Sequence, residues 1–140
     1  MTGDIHQFDP LVQAAAAVQG DRQLSQSSWA GSVAAALQTS SGTIYTGVCI
    51  DTPCSMGFCA EHAAAAAMIC AGENRVVRMA AVTDGGQVVP PCGRCREFIC
   101  QLHADNEQCQ VLLPDGQVRT LAELLPCRWV PKDGDEPADS

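Results

Sequence analysis

The stretch Cys59-Ala60-Glu61-His62-Ala63-Ala64-Ala65-Ala66-Ala67-Met68-Ile69-Cys70-Ala71-Gly72 decides the architecture. Alanine is the best helix former, and no breaker interrupts the run before Gly72. A helix is therefore predicted from Cys59 to Cys70, with Gly72 as its C-terminal cap. Val76 to Thr83 reads as a strand, and Asp84-Gly85-Gly86 turns it into a loop ending at Pro90-Pro91. A second strong helix is predicted from about Gly93 to Leu102. A strand over Gln110 to Leu113, a turn at Pro114-Asp115-Gly116 and a short helix around Leu121 to Leu125 complete this half.

Upstream, Asp9-Pro10 reads as a cap and first-turn proline for a helix through Leu11 to about Val18. Val33 to Thr39 and Thr43 to Ile50 form a predicted hairpin around Ser40-Ser41-Gly42, and Asp51 to Phe58 is expected to be loop. Alternation of strand and helix after the hairpin implies parallel strands covered by helices. The expected class is α/β, with a mixed sheet in an α/β sandwich.

A chain of 140 residues suits a single domain, set here at 1–130, followed by an acidic tail at 131–140 that is expected to be disordered. The net charge of −8, of which the tail carries −3, and the lack of any Lys/Arg cluster beyond Arg94 to Arg96 argue against a polynucleotide partner. No segment reaches the roughly 18 to 20 apolar residues of a membrane span. Met1 to Pro10 is polar and unlike a secretory signal. Nine cysteines, an odd number without an export signal, point to free thiols and metal ligation in a reducing cytoplasm.

Both strong helices begin at cysteines: Cys59-Ala60-Glu61 opens one, and Pro91-Cys92-Gly93-Arg94-Cys95 opens the next. A CxxC on a first turn can present two thiols to one metal, and helix N-termini favour thiolate. Three thiolates leave one tetrahedral position for water, the layout of a catalytic Zn2+ site held by Cys59, Cys92 and Cys95. Glu61 would face that water and move protons. A lone CxxC also occurs in redox pairs, structural zinc sites and buried cysteines. One alternative is a closed four-thiolate structural module of Cys49, Cys54, Cys92 and Cys95, which leaves Cys59-Ala60-Glu61 without a purpose.

The two motifs in this order resemble those of the cytidine deaminase family, in its small three-cysteine branch that includes blasticidin-S deaminase. The match runs from about Val33 to Trp129, with support from Val33-Ala34-Ala35-Ala36-Leu37, Tyr45-Thr46-Gly47-Val48 and Glu123-Leu124-Leu125-Pro126. The resemblance implies a three-layer α/β/α sandwich and a zinc-dependent hydrolase that releases ammonia from a cytosine-type nucleoside or analogue. It also implies backbone contacts from Ala60 and Cys92 to the ring, and a homotetramer with Ala63 to Ala67 on an interface helix. The family's arginine after Cys-Ala-Glu is His62 here, which leaves two readings of Arg94: it offsets the −1 charge of three thiolates on a divalent cation, or it is a solvated surface arginine. A deaminase fold without activity would be a binding protein, against which the intact Glu61 argues.

The chain departs from the family where the sugar is held. The family's Gly-x-Asn-x-Glu-Asn segment is Gly47-Val48-Cys49-Ile50-Asp51-Thr52, and a first-strand phenylalanine is Gly31. Cys49 and Asp51 stand in the substrate-binding places, so plain cytidine is expected to be a weak substrate. Trp129, just beyond Leu125-Pro126, has two readings: it closes the pocket, or it packs against the last strand.

Overall fold

A computed structural model describes residues 4–131. Its strands are β1 (Arg22–Gln23), β2 (Trp29–Thr39), β3 (Ile44–Asp51), β4 (Val76–Thr83), β5 (Gln87–Val89), β6 (Gln110–Leu112) and β7 (Val118–Thr120). Its α-helices are α1 (Asp9–Val18), α2 (Ala60–Cys70), α3 (Gly93–Leu102) and α4 (Leu121–Leu124). Residues beyond Pro131, where most of the acidic tail falls, lie outside the described residues.

Ala34 to Gln38 of β2 pair antiparallel with both β3 and β4, so β2 lies between them. The sheet continues through β6, parallel to β4, and then β7, antiparallel to β6. β1 lies beside the first residues of β2, and β5 beside the last residues of β4. The expectation of a mixed sheet holds. The expectation of parallel strands holds for β4 and β6, whereas β3 and β4 are kept apart by β2.

Side chains alternate across the sheet, and each face is buried by different helices. Ala34, Ala36, Ala80 and Val82 face α1, with Phe8, Leu11 and Ala15 packed on them. Leu37, Met79 and Val111 face α2 and α3, against Ala64, Ala65, Met68 and Ile99. Because both faces are covered, the consecutive alanines Ala34, Ala35 and Ala36 are all fully buried. The result is a three-layer α/β/α sandwich.

The start of α1 differs from the sequence reading. A 3-10 turn over Ile5–Phe8, capped by the Asp4 side chain accepting from the His6 amide at 3.0 Å, runs directly into the helix. Phe8 therefore takes the N-cap place and Asp9 the first helical position. Phe8 is fully buried, so the chain is held there by packing instead of by an Asp cap. At the other end of α2, Gly72 has φ +89 and its amide bonds to the Ile69 carbonyl, the left-handed termination predicted.

Two further residues set the position of the site. A Cβ on Gly47 of β3 would lie 2.3 Å from the Ala64 nitrogen and 2.7 Å from the Ala60 oxygen, so α2 rests on bare backbone. Asn106 is fully buried; its amide donates to the carbonyls of Ile99 at 2.9 Å and Asn74 at 3.0 Å. Its oxygen accepts from the Val76 amide at 2.8 Å. One side chain thus ties the end of α3 to the start of β4.

Candidate metal centre and substrate cleft

Cys59 and Cys92 occupy the N-cap positions of α2 and α3 in extended backbone conformation, and neither side chain caps its helix. Their sulfurs lie 3.5 Å apart, and Cys92 lies 3.5 Å from Cys95 on the first turn of α3. All three sulfurs fall within 4.8 Å of one another, and this is the metal-competent cluster among the described residues. Cys49 and Cys54 do not join it. The Cys49 sulfur is 3.2 Å from Ser32 Oγ and accepts from the Val33 amide at 3.4 Å, while Cys54 is exposed. The four-thiolate module is thereby set aside.

The donor chemistry fits zinc. Burial pushes the Cys95 thiol well above the usual range and raises Cys59 as well. Burial also acts to raise Cys92, but the backbone amides of Cys95 and Arg94 and the Cys59 thiol outweigh it and hold Cys92 below its ordinary value. Burial works against ionising all three sulfurs, so a thiophilic divalent cation would supply the charge that makes three thiolates compatible.

Glu61 stands on the first turn of α2, two residues after Cys59, with 3% of its surface exposed. Burial raises its carboxyl above the ordinary carboxylate value, a direction that suits a group that must both take and give a proton. Arg96 steadies the opposite helix start: its Nε donates to the Pro91 carbonyl at 2.9 Å and one Nη to Leu124 at 3.1 Å. The loop carrying Cys92 is thus tied to the end of α4.

A cleft of about 330 Å³ opens above the thiols and Glu61. Cys49, Cys59, Ala60, Glu61 and Cys92 line it, as do Val33, Thr83, Val89 and Pro90, which the sequence reading did not single out. Asp51 is exposed at the end of β3, opposite Trp29, and does not line this cleft. Trp129 is 65% exposed and also stands outside it. The neighbouring Arg128 pairs with Glu107 at 3.0 Å and Glu97 at 3.3 Å, which fixes the C-terminal segment on the α3 side. Arg94 is exposed and has no hydrogen bond to a thiol among the described contacts. It borders a surface depression with His62, Glu97, Phe98 and Gln101.

The wall of the cleft away from the metal centre is mostly apolar, and its two polar side chains already have protein partners. Cys49 is 8% exposed with its sulfur engaged by Ser32 and Val33. Thr83 donates its hydroxyl to the Ser32 carbonyl at 3.0 Å, and its other neighbours along the cleft are Val33, Val89 and Pro90. Gly31, at φ +90, lies where the register of β2 against β3 shifts, and a Cβ there would meet the Gly20 oxygen at 2.0 Å. No side chain from this position reaches the cleft.

No family model matches the chain. Among characterised proteins, a cytidine deaminase from Halalkalibacterium halodurans is 34% identical over 105 residues, covering 72% of this chain and 79% of the relative. One from Mycobacterium tuberculosis is 35% identical over 97 residues, covering 67% of this chain and 69% of the relative. Among solved structures, the cytidine deaminase of Mycobacterium leprae superposes with a TM-score of 0.72 at 29% identity, over 85% of this chain and 97% of that one.

Proposed function

The chain belongs to the cytidine deaminase family, and on that premise we propose that it deaminates a cytosine-type ring by hydrolysis with one zinc ion held by Cys59, Cys92 and Cys95. The observation that carries this reading is a cleft lined by Cys59, Cys92 and the buried Glu61 carboxyl, with the fully buried Cys95 completing the three-thiol cluster. Zinc, when bound, supplies Lewis-acid chemistry that brings a water toward ionisation near neutral pH. Glu61 accepts a proton from the attacking water and delivers it to the ring nitrogen beside the amino-bearing carbon. It then takes the remaining proton from the added hydroxyl and gives it to the departing amine, so the C–N bond breaks and ammonia leaves as that oxygen becomes the ring carbonyl. The Ala60 carbonyl and the Cys92 amide would orient the ring.

The substrate reading is narrower than the family's. The family holds ribose through asparagine and glutamate, whereas Cys49 here spends its sulfur on Ser32 and Val33 and Asp51 points outside the cleft. Missing two such contacts would weaken ribose binding by a hundredfold or more, at about 1.5–3 kcal/mol each. Plain cytidine is therefore a weak substrate in this reading. The better one carries a differently shaped sugar, or none, as in the branch that includes blasticidin-S deaminase.

The remaining features of the reading are a single domain over 1–130, a homotetramer and a cytoplasmic location. The exposed Ala66 and Ala67 on α2 would allow close approach of a second helix, and all nine cysteines are free, as a reducing compartment requires. No helix among the described residues is long and apolar enough to cross a membrane.

The test is ammonia release from cytidine, deoxycytidine, cytosine, blasticidin S and adenine- and guanine-type compounds, with Glu61→Gln as control. Release that depends on Glu61 from at least one aminated ring is expected. No release from any of them by zinc-loaded protein would overturn the assignment.

A further inference from the structure

Resting on the zinc reading above, we infer that His62 is a positioning residue for the metal centre, its Nδ1–H holding the Cys95 sulfur in place. The imidazole Nδ1 lies 3.4 Å from Cys95 Sγ. The ring stacks on Phe98 with centroids 4.1 Å apart and planes inclined by 13°. Cys95 and Phe98 are three residues apart on α3 and so share one face of that helix. His62 on α2 is therefore gripped by α3 at two points, the sulfur and the aromatic ring, and the two helix starts are locked together next to the ligands.

The direction of the bond follows from the acceptor. A ligating thiolate has no proton to give, so the shared hydrogen must reside on Nδ1. An N–H directed at a thiolate withdraws charge from the sulfur and fixes the direction of its lone pairs. Cys95 is the fully buried member of the triad and has the least help from water. His62 is thus a polar group beside the sulfur that carries the highest desolvation burden, and Arg94 lies on the solvent side of it. His62 is not itself a ligand in this arrangement, since the cluster within 4.8 Å comprises the three thiols alone. This leaves the fourth position to the reaction.

The experiment uses the full chain loaded with cobalt(II), whose thiolate-to-metal charge-transfer band reports sulfur donation directly. Substituting His62→Phe keeps an aromatic ring on Phe98 and removes the donor. The expected result is a band shifted to lower energy and metal affinity reduced about 10-fold or more in chelator competition. His62→Asn places an amide N–H near the position of Nδ1 without the ring, and it should restore the band and hold affinity within about threefold of wild type. An unchanged band and affinity in His62→Phe would overturn the inference. So would a ligand-field spectrum showing loss of a nitrogen ligand, which would make His62 a direct ligand. If His62→Phe does not fold, failure of His62→Asn to keep the wild-type band overturns it instead. A wild-type chain that takes up no cobalt overturns the zinc reading, a result distinguishable from all of these.

Discussion

The cleft has two walls, and they are built in opposite ways. The metal wall comes from two helix starts, where Cys59, Glu61, Cys92 and Cys95 bring ionisable groups together. The other wall comes from the strand residues Val33 and Cys49 and the residues Thr83, Val89 and Pro90 around the turn after β4, and its two polar side chains, Cys49 and Thr83, are bonded to Ser32 and the Val33 amide. One wall supplies reactivity and the other supplies shape. In the proposed reading the chain keeps the family's first wall and departs from it in the second, so the reaction and the choice of substrate would rest on different residues.

The comparison can be broken most severely at the metal wall. Cys59→Ser and Cys95→Ser should each lose bound zinc and all turnover, whereas Cys49→Ser should retain stoichiometric zinc, as read by elemental analysis of purified protein. Zinc retained in the first two, or lost in the third, would mean that the walls are misassigned. A smaller loss is expected for Glu61→Gln, which should keep metal and fold while turnover falls by at least about 10²–10⁴-fold. Near-normal turnover in the metal-loaded variant rules out Glu61 as the proton carrier.

A change outside both walls should affect stability alone. Asn106→Ala removes three hydrogen bonds, two of them buried, and leaves the Val76 amide without its partner, at a cost of about 2–4 kcal/mol. Denaturant titration should show that cost, while kcat per folded molecule stays within about twofold. The mildest change tests the shape wall. Cys49→Asn restores an amide where the sugar is held in relatives and should raise kcat/KM for cytidine about tenfold, one regained hydrogen bond's worth. Sugar-free substrates should be indifferent to it. Wild-type cytidine turnover at or above about 10⁴ per molar per second would show that the departures at Gly31, Cys49 and Asp51 are neutral.

Much of this architecture is legible in the sequence because its signals are local. The alanine run fixes α2, the β-branched run fixes β4 with the boundaries predicted, and Gly93 to Leu102 fixes α3. Strands β1, β5 and β7 are two or three residues long, too short for any periodic pattern, and exist only because neighbours present unpaired backbone to them. The metal wall is legible for the same local reason, since each motif lies within one helical turn. Val33, Thr83 and Val89 carry no chemical mark and meet only through the order of the strands. Pro90 could be inferred from its place directly before Pro91-Cys92. Asn106, between Asp105 and Glu107, reads as surface, and its burial depends on contacts about 30 residues away.

The bare backbone at Gly47 has an evolutionary consequence. Helix α2 is seated on β3 by an absent atom, so at this one contact its height above the sheet is set by backbone against backbone. A substitution that leaves this contact alone, such as one at Cys49, would change the cleft without pushing on the seat of the helix that carries Cys59 and Glu61. Keeping this glycine would let the pocket change in single steps while the proposed reaction is retained. A side chain at that position would couple the two, and each change of pocket would demand a compensating change at the catalytic end.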